Sequence, residues 1–225
     1  MSVPYTINVV TAPTVPVLSL TEAKKACRVD ISDDDTDIAS YVDAARDWYE
    51  SVADRSLLTQ TIEVRWDAFP GQGEDKRDPM VYRGSDRYAL TVPRAPLQSV
   101  TTLKYVDLDG NVQTLVKDTD YTVDRELSGA EVTAGALYPD TPARIVPAYG
   151  TFWPSARAMP GAVRLVAVVG YGDTASRVPE SIRQLMRLLT VHGFGQREPV
   201  VIGTIVNALP HAIQTLFWRT RNLAA

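Results

Sequence analysis

The sequence predicts an α+β protein: a helical bundle drawn from both chain ends, with an antiparallel β domain inserted between them. Three observations predict it. Apolar residues recur with helical period near residue 40 and again near residue 185. Between those stretches the period drops to two, with turn residues spaced along the chain. Composition is ordinary for a packed chain of 225 residues, 45% hydrophobic and 22% charged, which excludes collagen-like, coiled-coil and fully disordered classes. The expected units are 1–56 (arm and first helices), 57–175 (β domain) and 176–225 (last helices and tail).

Taken in order, the segment up to Val17 carries Pro4, Pro13 and Pro16 and is expected to be an extended arm. Ser19-Leu20-Thr21-Glu22 has the spacing of a capping box and predicts a short helix over Leu20 to Cys27. The acidic run Asp30 to Asp37 then offers an N-cap and favourable charge for a second helix. There Ile38, Tyr41, Val42, Ala45, Tyr49 and Val52 form the apolar stripe. Asp43, Arg46, Asp47 and Glu50 form the polar side.

Strict alternation in Thr61 to Trp66 predicts a half-buried strand. Gln72 to Arg87 is dense in charge and glycine and reads as a long exposed loop, with Met80, Val81 and Tyr82 as an apolar island. Further strands are expected at Tyr88 to Val92, Ser99 to Val106, Asn111 to Val116, Tyr121 to Asp124, Ala143 to Val146 and Val163 to Val169. Asp109-Gly110 makes the reversal between the second and third of these. Pro179 opens the next helix, whose stripe is Ile182, Leu185, Met186 and Leu189, and Gly193 suits its left-handed C-cap. A last helix begins around Leu209-Pro210, with Ala212, Ile213, Leu216 and Phe217 on one face.

Several functional classes are disfavoured. The two histidines, His192 and His211, and the single Cys27 give no zinc-ligand spacing. Taken as a calcium loop from Asp33, the acidic run has Ile38 where glycine is needed and Ala44 where a bidentate glutamate is needed. Gly170-Tyr171-Gly172-Asp173 and Gly193-Phe194-Gly195 complete no phosphate-cradling pattern, and no nucleophile elbow is present. The expectation is a protein without catalysis, cofactor or metal. A net charge of −4 disfavours a broad grip on nucleic-acid phosphates. Met1 to Val10 lacks a signal-peptide pattern, and no apolar run reaches membrane-span length, so a soluble chain of a reducing cytosol is expected, with no membrane partner. Charge is uneven: the first 75 residues hold 14 acids against 6 bases, and the last 50 hold 2 acids against 6 bases. Opposite ends of opposite sign suit contacts between copies or with a partner, and equally suit two solvated faces that simply differ in sign.

A set of short segments, in order, carries a resemblance. These are Leu18-Ser19-Leu20-Thr21-Glu22-Ala23-Lys24, Cys27-Arg28-Val29-Asp30, Asp33-Asp34-Asp35, Ala44-Ala45-Arg46 and Thr59-Gln60-Thr61. Pro93-Arg94-Ala95-Pro96-Leu97-Gln98-Ser99-Val100, Trp153-Pro154, Gly170-Tyr171-Gly172 and Val178-Pro179-Glu180 follow, and then Leu209-Pro210 ahead of a Leu216 to Arg221 tail. The chain resembles the head–tail connector (adaptor, or head-completion) proteins of long-tailed bacteriophages, in their larger branch with a β insertion. The Gln72 to Arg87 loop is longer than that pattern. The resemblance implies a virion structural protein of the neck, made in the host bacterial cytoplasm. It implies a closed ring of about twelve copies below the portal, each using one face against a different face of its neighbour. Such a ring extends the DNA channel and carries a stopper or tail protein, while double-stranded DNA passes without specific binding.

By the same analogy, Leu209, Pro210, Ile213, Leu216, Phe217, Trp218, Arg219 and Arg221 would dock on the portal or a neighbouring subunit; the alternative is that Leu216 and Phe217 close the chain's own bundle while Trp218 lies partly covered. Asp30, Asp33, Asp34, Asp35 and Asp37 are candidate channel-facing residues, whose charge would repel the duplex. The competing reading is a glycan- or protein-binding module of a tail or baseplate, with Tyr82, Tyr88, Trp153 and Tyr171 stacking on sugars.

Overall fold

The computed structural model describes residues 5–71, 88–124, 126, 142–195 and 211–220. Over these residues the chain is mixed α/β, with four α-helices and two antiparallel sheets. The expected loop over Gln72 to Arg87, with Tyr82, lies outside the described residues.

The arm is a strand, β1 (Tyr5–Thr11). It pairs antiparallel with β2 (Gln60–Trp66) from Tyr5 opposite Trp66 to Thr11 opposite Thr61, with a bulge after Val9. The extended arm thus becomes one edge of the larger sheet. After it, α1 (Leu20–Cys27) starts at the expected capping box: the Ser19 hydroxyl accepts from the Glu22 amide at 3.2 Å, and the Glu22 carboxylate accepts from the Ser19 amide at 3.1 Å. Arg28 closes the helix in the left-handed region.

Helix α2 (Asp35–Ala53) follows, with Asp34 at its N-cap position but making no capping hydrogen bond; Asp35 and Asp37 in the first turn supply only charge. Its buried face is Ile38, Val42, Ala45, Tyr49 and Ala53, with Glu50 beside them. Two expectations are corrected here. Val52 is 51% exposed, whereas Glu50, placed on the polar side by the periodicity, is only 7% exposed. The reason is tertiary: the chain reverses at Asp54 and lays the 55–60 segment over the Glu50 side of the last turn.

Beyond β2 come β3 (Leu90–Thr91), β4 (Leu97–Val106), β5 (Val112–Leu115), β6 (Tyr121–Asp124), β7 (Arg144–Pro147) and β8 (Val163–Val169). The larger sheet has the order β1-β2-β8-β4-β5, and the smaller β3-β7-β6. Gly110, at φ +93, makes the β4–β5 reversal that only glycine adopts cheaply. One face of the larger sheet builds a core with Ile62, Val64, Trp66, Leu103, Val163, Leu165, Ala167 and Val169, closed by Phe69, Leu90 and Ile145.

Helix α3 (Glu180–Gly195) buries Ile182, Leu185, Met186 and Thr190, while Leu189 is partly covered. Gly193 is not a C-cap, because the helix runs on through it. A Cβ there would lie 2.9 Å from the Tyr41 ring, so the glycine lets α3 approach α2 closely. The last helix, α4 (His211–Thr220), places Ile213 and Phe217 in the same core. A second apolar cluster therefore joins residues of α1, α2, α3 and α4 with Val17, Leu18, Leu57, Leu58 and Tyr171. No helix among the described residues is long and apolar enough to cross a membrane.

Candidate functional site

Three of the segments that carried the resemblance, Thr59-Gln60-Thr61, Pro93 to Val100 and Gly170-Tyr171-Gly172, meet at one place, the junction between the helical cluster and the larger sheet. Past α2, Ser56 donates its amide to the Ala95 carbonyl at 2.9 Å, and the Arg94 amide donates to the Asp54 carboxylate at 3.2 Å. β8 leaves the sheet through Gly170-Tyr171-Gly172. The Gly170 amide donates to the Pro96 carbonyl at 2.8 Å, and the Thr59 amide to the Gly172 carbonyl at 3.1 Å. The Gln98 side chain clasps both neighbours, donating to the Gly170 carbonyl at 2.7 Å and the Thr59 hydroxyl at 2.9 Å. The two-glycine motif is thus a passage where backbones cross closely rather than a phosphate cradle.

Buried polar groups lock this junction. Glu50 accepts from the Leu57 amide at 2.7 Å and from the Gln60 side chain at 3.5 Å; Arg55, 2% exposed, donates to the Tyr171 hydroxyl at 2.9 Å. Burial pushes the Glu50 carboxyl above the ordinary range, against the Leu57 hydrogen bond and the Arg46 and Arg94 charges. Burial raises Asp54 as well. A carboxyl whose folded value is raised binds its proton more tightly folded than unfolded. Its contribution is then fully present below the unfolded value and lost as pH climbs through the folded one. Glu50→Gln keeps an oxygen for the Leu57 amide but cannot titrate. From neutral pH down toward 4.5 the wild-type chain is therefore expected to gain stability relative to Glu50→Gln. Urea unfolding of both proteins across that window measures the difference, and parallel profiles would contradict the assignment.

The C-terminal candidates divide. Ile213 and Phe217 are buried in the chain's own core and Leu216 is partly buried against it. Phe217 packs on Trp48 at 5.3 Å and edge-on to Tyr49 at 6.2 Å between ring centroids. The Tyr49 hydroxyl, its pKa pushed up to about 12 chiefly by burial, donates to the Thr220 carbonyl at 2.9 Å and pins the end of α4. Trp218 stays 55% exposed. Leu209, Pro210 and Arg221 lie outside the described residues, as does the side chain of Arg219.

Of the acidic candidates, Asp30, Asp33 and Asp37 are exposed, and Asp34 and Asp35 half-buried; Lys24 pairs with Asp35 at 2.6 Å. Two of the basic residues of the C-terminal part, Arg183 and Arg187, are engaged within the chain. Arg183 pairs with Glu22 and, at 3.0 Å, with Glu180, and Arg187 reaches Glu180 at 2.7 Å. The Ser19 hydrogen bonds and the Arg183 charge outweigh burial and hold the Glu22 carboxyl below its ordinary range. Opposite-signed chain ends thus satisfy one another across α1 and α3 to this extent.

Two of the sugar-stacking candidates have structural duties. Tyr171 is buried on Arg55. Trp153 stacks on Phe69 at 4.7 Å and donates its indole N–H to the Tyr88 carbonyl at 2.7 Å. His192 lies in the last turn of α3, and no group of His, Cys, Asp or Glu among the described residues is arranged to hold a metal ion.

No protein-family model matches the chain, and no curated protein does. Solved structures do. The fold is similar to that of a chain in the virion of a native gene transfer agent (GTA) particle, with 21% identity and a TM-score of 0.67 over 97% of this chain and 96% of that one. A chain in the neck of an empty GTA particle, computed with C6 symmetry, gives 20% identity and 0.67 over 98% and 97%. One in the neck of a native GTA particle, computed with C12 symmetry, gives 20% and 0.66 over the same shares. The class this defines is a fold: the mixed α/β architecture of these particle chains, shared end to end. Sequence identity at this level establishes nothing narrower.

Proposed function

We propose that this chain is a structural component of a virion neck, a head–tail connector of the adaptor type, without catalytic activity. The observation that carries the reading is the mutual, nearly complete overlap with chains from GTA particles, two of them from necks treated with cyclic symmetry. An inserted domain or a chance shared motif would match only part of each chain. The order of short segments resembling phage connectors supports the adaptor branch, as does a cluster joining helices from both chain ends in the manner of a bundle.

In this reading about twelve copies close a ring below the portal by a heterologous contact. The ring extends the DNA channel without specific DNA contacts and offers a platform to a stopper or tail protein. The chain is made in the host bacterial cytoplasm and resides in the neck. Ile213, Leu216 and Phe217 hold α4 on the core, so that Trp218, with Arg219, Arg221 and the segment around Leu209 and Pro210, meets the portal. The exposed aspartates Asp30, Asp33 and Asp37, with Asp34 and Asp35, supply acidic surface to the assembly. Gold-labelled antibody against the chain on intact particles is expected to mark the head–tail junction. Labelling confined to the tail tip or baseplate, or absent from the particle, would overturn the reading.

A further inference from the structure

The larger sheet has its core on one face only, and the register of its strands sets an unusual row on the other. Arg65 of β2 lies opposite Arg164 of β8, and Arg164 lies opposite Lys104 of β4. All three side chains are exposed. Thr6 of β1 and Thr114 of β5 extend the row to both edges. Directly opposed residues stand about 5 Å apart, and like charges so placed repel. Arg65 has relief from Glu63 at 2.7 Å. Arg164 donates only to the Gly161 carbonyl, at 3.4 Å, and neither it nor Lys104 meets a carboxylate among the described residues. Beside the row on the same face, Val166 and Val168 are only half-buried. An apolar strip next to unneutralised cations has the makeup of a docking face for an acidic partner.

We infer that this face receives the acidic α1–α2 connection and first turn of α2 of a second copy, the stretch bearing Asp30, Asp33 and Asp37. Charge complementarity carries the choice. The chain displays these exposed aspartates on its helical part, and two of its C-terminal arginines, Arg183 and Arg187, are already engaged by Glu22 and Glu180. Lys25 and Arg28 are exposed nearby, but the five acids from Asp30 to Asp37 leave the connection negative. Three cations across three strands are too few to hold a duplex backbone, which needs many neutralised phosphates. Sheet face and acidic connection are different surfaces of one chain, so their contact is heterologous and propagates around a ring. The inference rests on the ring-forming reading and names the contact that would close it.

Sedimentation velocity of the full chain over a range of concentration tests it, through two charge-reversed variants. One is Lys104→Glu with Arg164→Glu, the other Asp33→Lys with Asp37→Lys. The wild-type chain is expected to self-associate more weakly as salt rises. Each variant alone should lose at least tenfold in association, and an equimolar mixture should recover it, because alternating copies then present opposite charges at every contact. Recovery comes only from folded variants, and Lys104→Gln with Arg164→Gln should give an intermediate loss. Self-association unchanged by the reversals, loss in both variants without recovery, or a wild-type chain that stays monomeric throughout would overturn the inference. So would loss of short-duplex DNA binding in the first variant with self-association intact, which would assign the row to a polyanion. A failed swap leaves the neck location standing, and a failed neck location leaves a successful swap standing.

Discussion

Gly170→Ala is expected to destabilise the chain by at least about 3 kcal/mol, combining a strained left-handed conformation with overpacking. Gly170 has φ +112, and a Cβ there would lie 2.2 Å from the Leu58 carbonyl oxygen and 2.8 Å from the Thr59 amide nitrogen. Both obstacles are backbone, so no rotamer change relieves them. To make room, either β8 must move away from the 57–60 segment or the hydrogen bonds at Pro96 and Gln98 must open. Either movement parts the helical cluster from the sheet. Urea denaturation followed by circular dichroism measures the loss. An alanine variant within about 1 kcal/mol of wild type would mean that this passage is looser than the distances state.

Phe217→Ala and Trp218→Ala, adjacent on α4, are expected to separate stability from docking. Phe217 is buried against Trp48 and Tyr49, and removing a buried phenyl ring costs about 3 kcal/mol or more through lost transfer energy and the cavity left behind. Trp218 is more than half exposed, and its removal should cost less than about 1 kcal/mol. If α4 meets the portal, Trp218→Ala loses at least about tenfold in binding to purified portal or emptied heads, since exposed tryptophans at contacts act as anchors. Its denaturation midpoint stays near wild type. Unchanged binding by a folded Trp218→Ala would remove α4 from the docking surface. Deleting the whole tail is the poorer experiment, because it takes Ile213 and Phe217 out of the core with it.

Much of the local structure was legible because it depends on neighbours within a helical turn or a strand pair. The Ser19–Glu22 capping box is a relation between residues three positions apart, and it is present as expected. The alternation of Thr61 to Trp66 needed only a covered face and an open one. Glu50 was misplaced because periodicity assumes that a helix has one covered side to its end. The returning 55–60 segment covers a second side there, and supplies the amide that a buried carboxylate requires. Gly193 was misread for a similar reason: a glycine near a helix end has two uses, and only the Tyr41 ring tells them apart.

The candidate site was legible as composition and order, not as place. The sequence displayed an acidic beginning and a basic end, and the aromatic tail of α4 was visible as such. It did not show that Arg183 and Arg187 would be engaged by Glu22 and Glu180, or that Arg65, Arg164 and Lys104 would form a row. Those cations lie far apart along the chain and become neighbours only through strand register.

By itself the sequence determined which stretches are helix or strand, where several begin, and the apolar stripes that had to be covered. Hydrogen bonding and side-chain period act over a few residues, so that information is local. Only the tertiary structure decided what covers each stripe, that Phe217 belongs to the core while Trp218 faces outward, and which charges meet within the chain. Burial and charge pairing depend on residues brought together from distant positions, and no short window of sequence contains both partners.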